Sequence, residues 1–311
     1  MRTAVICAWA LATVAASAAH AAGAPARPPV ATVSHLAVYT TDAAKADRFY
    51  VHDLGGVKRP DPETPDGVRY YFNTVQFVEV LPLPPGPHAI DRLDHIAFNT
   101  PDVAAMRLYL ASAKGVGAPT AVQTGDDGSR WFAVVDPEGL TVQFVQPPPA
   151  PRTVPANPLS NHIIHVGFIV HNRAREDRFY QGVLGFRPYW YGGMTDAKPT
   201  WVSLQTPDGH DWLEYMIVGE PDGRGVPTDM TQQTLGVLNH FSLGVREAEA
   251  AYTTLWTSDR LAGQSELPKI GRDAKWQLNL IDPDGTRAEL MEFHAVGKPC
   301  CSPFTAQDPQ E

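Results

Sequence analysis

The sequence predicts an α+β fold assembled from one unit written four times, and three observations lead there. A strand-like segment with a histidine recurs as Ser34-His35-Leu36-Ala37, Leu93-Asp94-His95-Ile96-Ala97, Ile164-His165-Val166-Gly167 and Leu238-Asn239-His240-Phe241-Ser242. The string Asp47-Arg-Phe-Tyr50 returns as Asp177-Arg-Phe-Tyr180 at an offset of 130 residues, the same offset that separates His35 from His165. Turns of the form Asp-Pro-x-Gly stand at Asp136 to Gly139 and at Asp282 to Gly285. There Pro presets φ and Gly admits φ > 0, so flanking apolar runs read as hairpins. Self-similarity at a long, fixed offset marks internal duplication.

Taken in order, the first copy opens on the His35 strand. Thr41 or Asp42 caps a helix with Ala46, Phe49 and Tyr50 on one side, Leu54-Gly55-Gly56 stops it, and strands follow over residues 68–72 and 75–80. The second copy has the His95 strand, a helix over residues 103–113 and a hairpin of residues 131–135 and 141–145, before a Pro-rich linker over 147–158. In the third, Leu184-Gly185-Phe186 echoes the first helix stop. The fourth continues from His240 through a helix over 247–256 to the hairpin Leu280 to Phe293.

At 311 residues the chain has room for one large or two medium domains, and its net charge of -9 argues against a nucleic-acid partner. Arg2, an Ala-rich apolar stretch and Ala19-His20-Ala21 form a signal-peptide pattern over residues 1–21, so the expected location is exported, periplasmic or secreted. No other segment is long and apolar enough to span a bilayer. Cys7 would leave with the signal, and the adjacent Cys300 and Cys301 are expected as two exposed thiols, with a vicinal or intermolecular disulfide as the alternatives.

A lone strand histidine is more often a satisfied core residue than a ligand. Here the same position holds His35, His95, His165 and His240, and the position two residues on is always small: Ala37, Ala97, Gly167, Ser242. That face leaves room beside an imidazole. The last strand of each copy supplies a complement, because a carboxylate on an apolar strand is costly to bury unless a cation meets it. Counting from the turns gives Glu289, Glu214, Gln143 and, through the shared string Thr-Val-Gln-Phe-Val, Gln76, with Glu79 one face off. His165 to Glu214 and His240 to Glu289 both span 49 residues. Two imidazoles and two carboxylates suit a divalent first-row metal such as Fe, Mn, Ni or Zn, with positions left open for water or substrate. His35, Gln76, His95 and Gln143 form a second, weaker or metal-free set, since neutral amides supply little charge to hold a dication. Tyr189, Trp190 and Tyr191, with Trp201 and Tyr215, are candidates for an aromatic wall, and Arg272 and Lys275 for contacts to an anionic substrate.

On these motifs, over roughly residues 33–293, the chain resembles the vicinal oxygen chelate superfamily, which includes glyoxalase I, extradiol dioxygenases, methylmalonyl-CoA epimerases and antibiotic-resistance proteins. The resemblance implies four βαβββ modules paired into two half-barrel cups: residues 30–147, and residues 159–295 with the metal, followed by a tail over 296–311. The four-module layout is similar to extradiol dioxygenases, which would place iron on His165, His240 and Glu289. Their pattern also expects a Tyr three residues before the final Asp-Pro and a His upstream, where this chain has Asn279 and the segment Ile270-Gly271-Arg272. Glu214 instead fills the place of a second Glu or Gln in glyoxalase and epimerase members. That implies a lyase or isomerase acting on a small oxygen-rich molecule, with Glu214 or Glu289 as catalytic base. The alternatives are an extradiol-type iron dioxygenase and a non-catalytic binding or resistance protein. The expected partner is a small-molecule substrate, with homodimerisation left open.

Overall fold

The structure, a computed structural model, describes residues 25–86, 92–197, 199–218, 239–261 and 263–311. The signal segment 1–21 with Cys7, and Leu238 at the head of the fourth copy, lie outside the described residues. Each copy folds as strand, helix and three strands. The first is β1 (Thr32–Thr40), α1 (Ala43–Asp47, widening to π geometry over Arg48–Asp53), β2 (Val57–Pro60), β3 (Val68–Tyr71) and β4 (Phe77–Pro82). The second is β5 (Leu93–Asn99), α2 (Val103–Ser112), β6 (Gln123–Thr124), β7 (Arg130–Val135) and β8 (Thr141–Gln146). The third is β9 (Ile163–Val170), α3 (Arg173–Asp177, again widening over Arg178–Val183), β10 (Arg187–Gly192), β11 (Trp201–Gln205) and β12 (Trp212–Ile217). The fourth is β13 (His240–Val245), α4 (Ala248–Thr257), β14 (Lys269–Ile270), β15 (Trp276–Ile281) and β16 (Arg287–Glu292).

Modules one and two make one eight-stranded half-barrel sheet, β2-β3-β4-β1-β5-β8-β7-β6, and modules three and four make its counterpart, β10-β11-β12-β9-β13-β16-β15-β14. At the centre of each sheet the two histidine strands run antiparallel, β1 beside β5 and β9 beside β13. Each is flanked by the last strand of its own module, running parallel. Strand alternation then sorts the residues: Leu36, Val38, Ile96 and Phe98 enter the core, while His35 and His95 turn into the cup.

Local chemistry sets the elements as the sequence suggested. Asp42 caps α1 by accepting from the Ala44 and Lys45 amides, and Asn172 caps α3 from Arg175. Gly55 and Gly185 end the two helices at φ +78° and +81°, a conformation open to glycine. The apolar faces of both sheets share one continuous core, with Phe98 against Phe186 (5.0 Å between ring centres) bridging the halves. The repeated motifs also bridge them. Tyr50 of module one donates to Asp282 in the module-four turn at 2.8 Å, and Tyr180 of module three donates to Asp136 in the module-two turn at 3.2 Å.

The C-terminal segment departs from a simple tail. The Thr305 amide donates to the Tyr189 carbonyl, Phe304 packs on Tyr189 and Trp190, and Asp308 pairs with buried Lys275 at 2.8 Å. Cys300 and Cys301 are joined to each other as a vicinal disulfide and are not two free thiols; the Trp190 indole N–H donates to the Cys300 carbonyl.

Candidate metal centre

In the C-terminal cup, His165, Glu214, His240 and Glu289 come together. The Nε2 atoms of His165 and His240 face each other at 3.0 Å, with Glu289 Oε2 3.4 Å from His165 and Glu214 Oε2 3.5 Å from His240. Strand register produces this. Glu289 stands beside Ser242 and Glu214 beside Gly167, while across the central pair His240 stands opposite Gly167 and His165 opposite Ser242. The small residues that recur two positions after each histidine therefore make room for the imidazole of the other module. At Gly167 the demand is absolute, since a Cβ there would lie 1.9 Å from His240 Cε1.

The electrostatics are those of a cluster short of positive charge. Burial drives the His165 imidazole well below its ordinary pKa, with His240, Arg287 and Lys275 adding to the effect. Burial pushes both Glu214 and Glu289 up to about 7, against the opposing pull of Arg287. Carboxylates and imidazoles aimed at one point form a donor set that a divalent cation completes, and the His165, Glu214 and His240 ligand atoms already lie within 4.8 Å of one another. The residues fit such an ion.

Beside this cluster is a cavity of about 190 Å³. Trp190 and Trp201 form its aromatic wall, and Arg272 and Arg287 also line it. Tyr215 is on the opposite face, in the core, and Tyr191 packs under Arg173. Lys275 is buried and does not reach a substrate: its ammonium donates to Asp308 and to the Phe293 carbonyl. It also stands 5.3 Å from the Trp212 ring centre, and Trp212 stacks on His165 at 4.6 Å. The C-terminal segment thus backs the site through Lys275 and Trp212.

The N-terminal cup repeats the plan with a correction. His35 and His95 again face each other, Nε2 to Nε2 at 2.8 Å. The residue opposite Ala37 in register, however, is Glu79, and Gln76 lies outside the cup. Gln76 is a structural bridge: its amide donates to the Val33 and Ile163 carbonyls and to Asp211, and its oxygen accepts from the Ile163 amide. The shared string misaligned the two hairpins because Thr74-Val75-Gln76 lies in the first turn, whereas Thr141-Val142-Gln143 lies in strand β8. Asn73 accepts from the Val75 and Gln76 amides, and β4 starts only at Phe77. The usable signal was Glu79 itself, a lone carboxylate in an apolar strand, as Glu289 is. Gln143 does stand beside Ala97, where it donates to Glu63 at 2.8 Å. Arg69, which sequence reasoning also missed, reaches into this cup.

Residues 162–290 match the family model described as Glyoxalase/Bleomycin resistance protein/Dioxygenase superfamily. No curated protein matches the chain. Among solved structures, the chain is similar to a variant of homoprotocatechuate 2,3-dioxygenase from Brevibacterium fuscum at 19% identity and TM-score 0.62, over 87% of this chain and 73% of that one. It is also similar to the 2,3-dioxygenase LapB from Pseudomonas sp. KL28, at 15% identity and TM-score 0.61, over 86% and 93%. A catechol 2,3-dioxygenase gives 14% identity and TM-score 0.61, over 91% and 92%. At these identities the likeness establishes a shared fold. Among the described residues, no helix is long and apolar enough to cross a membrane.

Proposed function

We propose, from the match of residues 162–290 to the Glyoxalase/Bleomycin resistance protein/Dioxygenase superfamily model, a metal-dependent enzyme that acts on a small molecule with two neighbouring oxygens. The observation behind this reading is the convergence of His165, Glu214, His240 and Glu289 beside an aromatic-walled cavity. Those four residues would hold a divalent cation, which supplies positive charge for the paired substrate oxygens.

Glu214 favours a lyase or isomerase. It is a second carboxylate beyond the His165, His240 and Glu289 set, and it lines the cavity where the substrate would lie, so it is placed to serve as the proton acceptor. Its role is to take a proton from the carbon next to a substrate carbonyl and return it. Trp190 and Trp201 flank the body of the substrate and limit access of water. The second reading, an extradiol-type dioxygenase, draws on the four-module likeness to three dioxygenase structures. Asn279, paired with Glu289 across β15 and β16, is the residue that departs from it. We also propose export, on the pattern of residues 1–21.

Two assays on the metal-reconstituted protein separate the readings. Deuterium wash-in at the carbon next to the carbonyl of small 2-oxo and 2-hydroxy compounds, lost in Glu214→Gln, supports the lyase or isomerase. Oxygen consumption with 3,4-dihydroxyphenylacetate or catechol, surviving in Glu214→Gln, supports the dioxygenase and overturns the first reading.

A further inference from the structure

We propose that the N-terminal cup is a metal-type site whose cation is supplied by the protein itself, the guanidinium of Arg69. The cup has the donors of a metal centre: two buried imidazoles with Nε2 atoms 2.8 Å apart, and Glu79 Oε2 at 3.6 Å from His95 and 4.0 Å from His35. Into this set reaches Arg69, with a side chain only 2% exposed. Its Nε contacts Glu79 and Asp61, each at 3.0 Å, and Nη2 contacts Glu63 at 3.3 Å. The guanidinium also covers the Phe77 ring at 4.5 Å, and Phe77 stacks on His35.

Register shows what differs between the cups. Arg69 stands opposite Glu79 on the neighbouring strand; in the C-terminal cup the residue opposite Glu214 is Ser203. Arginine is permanently charged and hydrogen-bonds carboxylates in a fixed fork, so it supplies at Glu79 the positive charge a dication would bring. Asp61, Glu63 and Glu79 all converge on this one guanidinium, so the acids beside the cup are already engaged, and Glu79 has given one oxygen to Arg69. Neutral amides in place of acids are therefore not what keeps metal from this cup, since Glu79 is a carboxylate. The resident charge is. The site revealed by removing that charge is an imidazole and carboxylate set suited to zinc or a similar first-row dication.

The test is zinc content in a His240→Ala background, which silences the C-terminal cup. His240→Ala alone should bind no zinc. Adding Arg69→Ser, the residue found at the symmetric position, should bring about one zinc per chain and a zinc-dependent rise in Tm. Adding His95→Ala to that pair should remove both. Arg69→Lys, which keeps the charge, should remain without zinc, and Arg69→Met provides the uncharged variant if the serine variant does not fold. Zinc held by the His240→Ala protein and lost with His95→Ala overturns the proposal. So does a folded Arg69→Ser or Arg69→Met protein that takes up none. A wild-type chain without zinc whose Arg69→Ser variant binds one would uphold the inference while defeating the C-terminal metal reading, so the two stand apart.

Discussion

Gly167 shows how closely a single position is tied to the chemistry. Its missing Cβ is the space that His240 occupies, so Gly167→Ala must push the imidazole out of line. We expect roughly 1–3 kcal/mol of lost stability and loss of metal binding, checked by thermal melts and metal content. A Gly167→Ala protein that keeps its metal would show that His240 is not a ligand. Glu214 and Glu289, both raised to about 7, give a pH dependence of definite sign. A folded-state pKa above the unfolded one means that the folded chain holds more protons between about 4.5 and 7. The metal-free protein should therefore lose stability as pH rises through that window. Added metal, which needs the carboxylates ionised, should stabilise more at pH 8 than at pH 5. Melting curves with and without metal at the two pH values decide it. At this scale His165, Glu214, His240 and Glu289 were legible because each follows from repeat position and strand parity. Glu79 was not, because parity holds only once the start of a strand is known, and the Asn73 turn moves that start. Arg69 was hidden for a related reason: its partners Asp61, Glu63 and Glu79 meet it only through folding.

Helix α3 carries a local conflict with the repeat that built it. Glu176 stands 130 residues after Ala46, and both are fully or almost fully buried against the core. Burial, with Asp136 and Glu138 nearby, raises the Glu176 carboxyl to about 9, so it is folded in its neutral form. That contribution is present below about pH 4.5 and is lost as pH rises toward 9. Glu176→Gln should match wild type near pH 4.5 and exceed it by several kcal/mol, at most about 5, at pH 8, as denaturant melts at both values would show. Equal stability at pH 8 would mean that Glu176 is ionised and satisfied. The histidine strands, the helices and the hairpins at the Asp-Pro-x-Gly turns were readable to within a few residues, since periodicity, caps and turns act locally, whereas β2, β6, β10, β11 and β14 had no such signal. The C-terminal segment was not readable as structure. Its order comes from Lys275, Tyr189 and Trp190, far away in sequence, and not from any pattern of its own.

Across the whole molecule the two halves are locked by a reciprocal exchange, Tyr50 to Asp282 and Tyr180 to Asp136. Burial raises both acceptor carboxyls to about 6; in each, two backbone amides donate to Oδ1 and the tyrosine is the donor to Oδ2. Tyr50→Phe and Tyr180→Phe should each cost roughly 1–3 kcal/mol, and the double variant should show the sum because the sites share no partner. A double variant no weaker than either single would mean that the halves do not cooperate in this way. The sequence showed the repeated Tyr and the repeated turn but not that one is the partner of the other, which only the packing of module one on four and three on two reveals. A metal bound as proposed belongs in the C-terminal cup, and anomalous diffraction from crystals grown with zinc or manganese would locate it. The expected result is one anomalous peak among His165, Glu214, His240 and Glu289, with none beside Arg69. A peak between His35 and His95, or no peak in the C-terminal cup of fully occupied crystals, would contradict it.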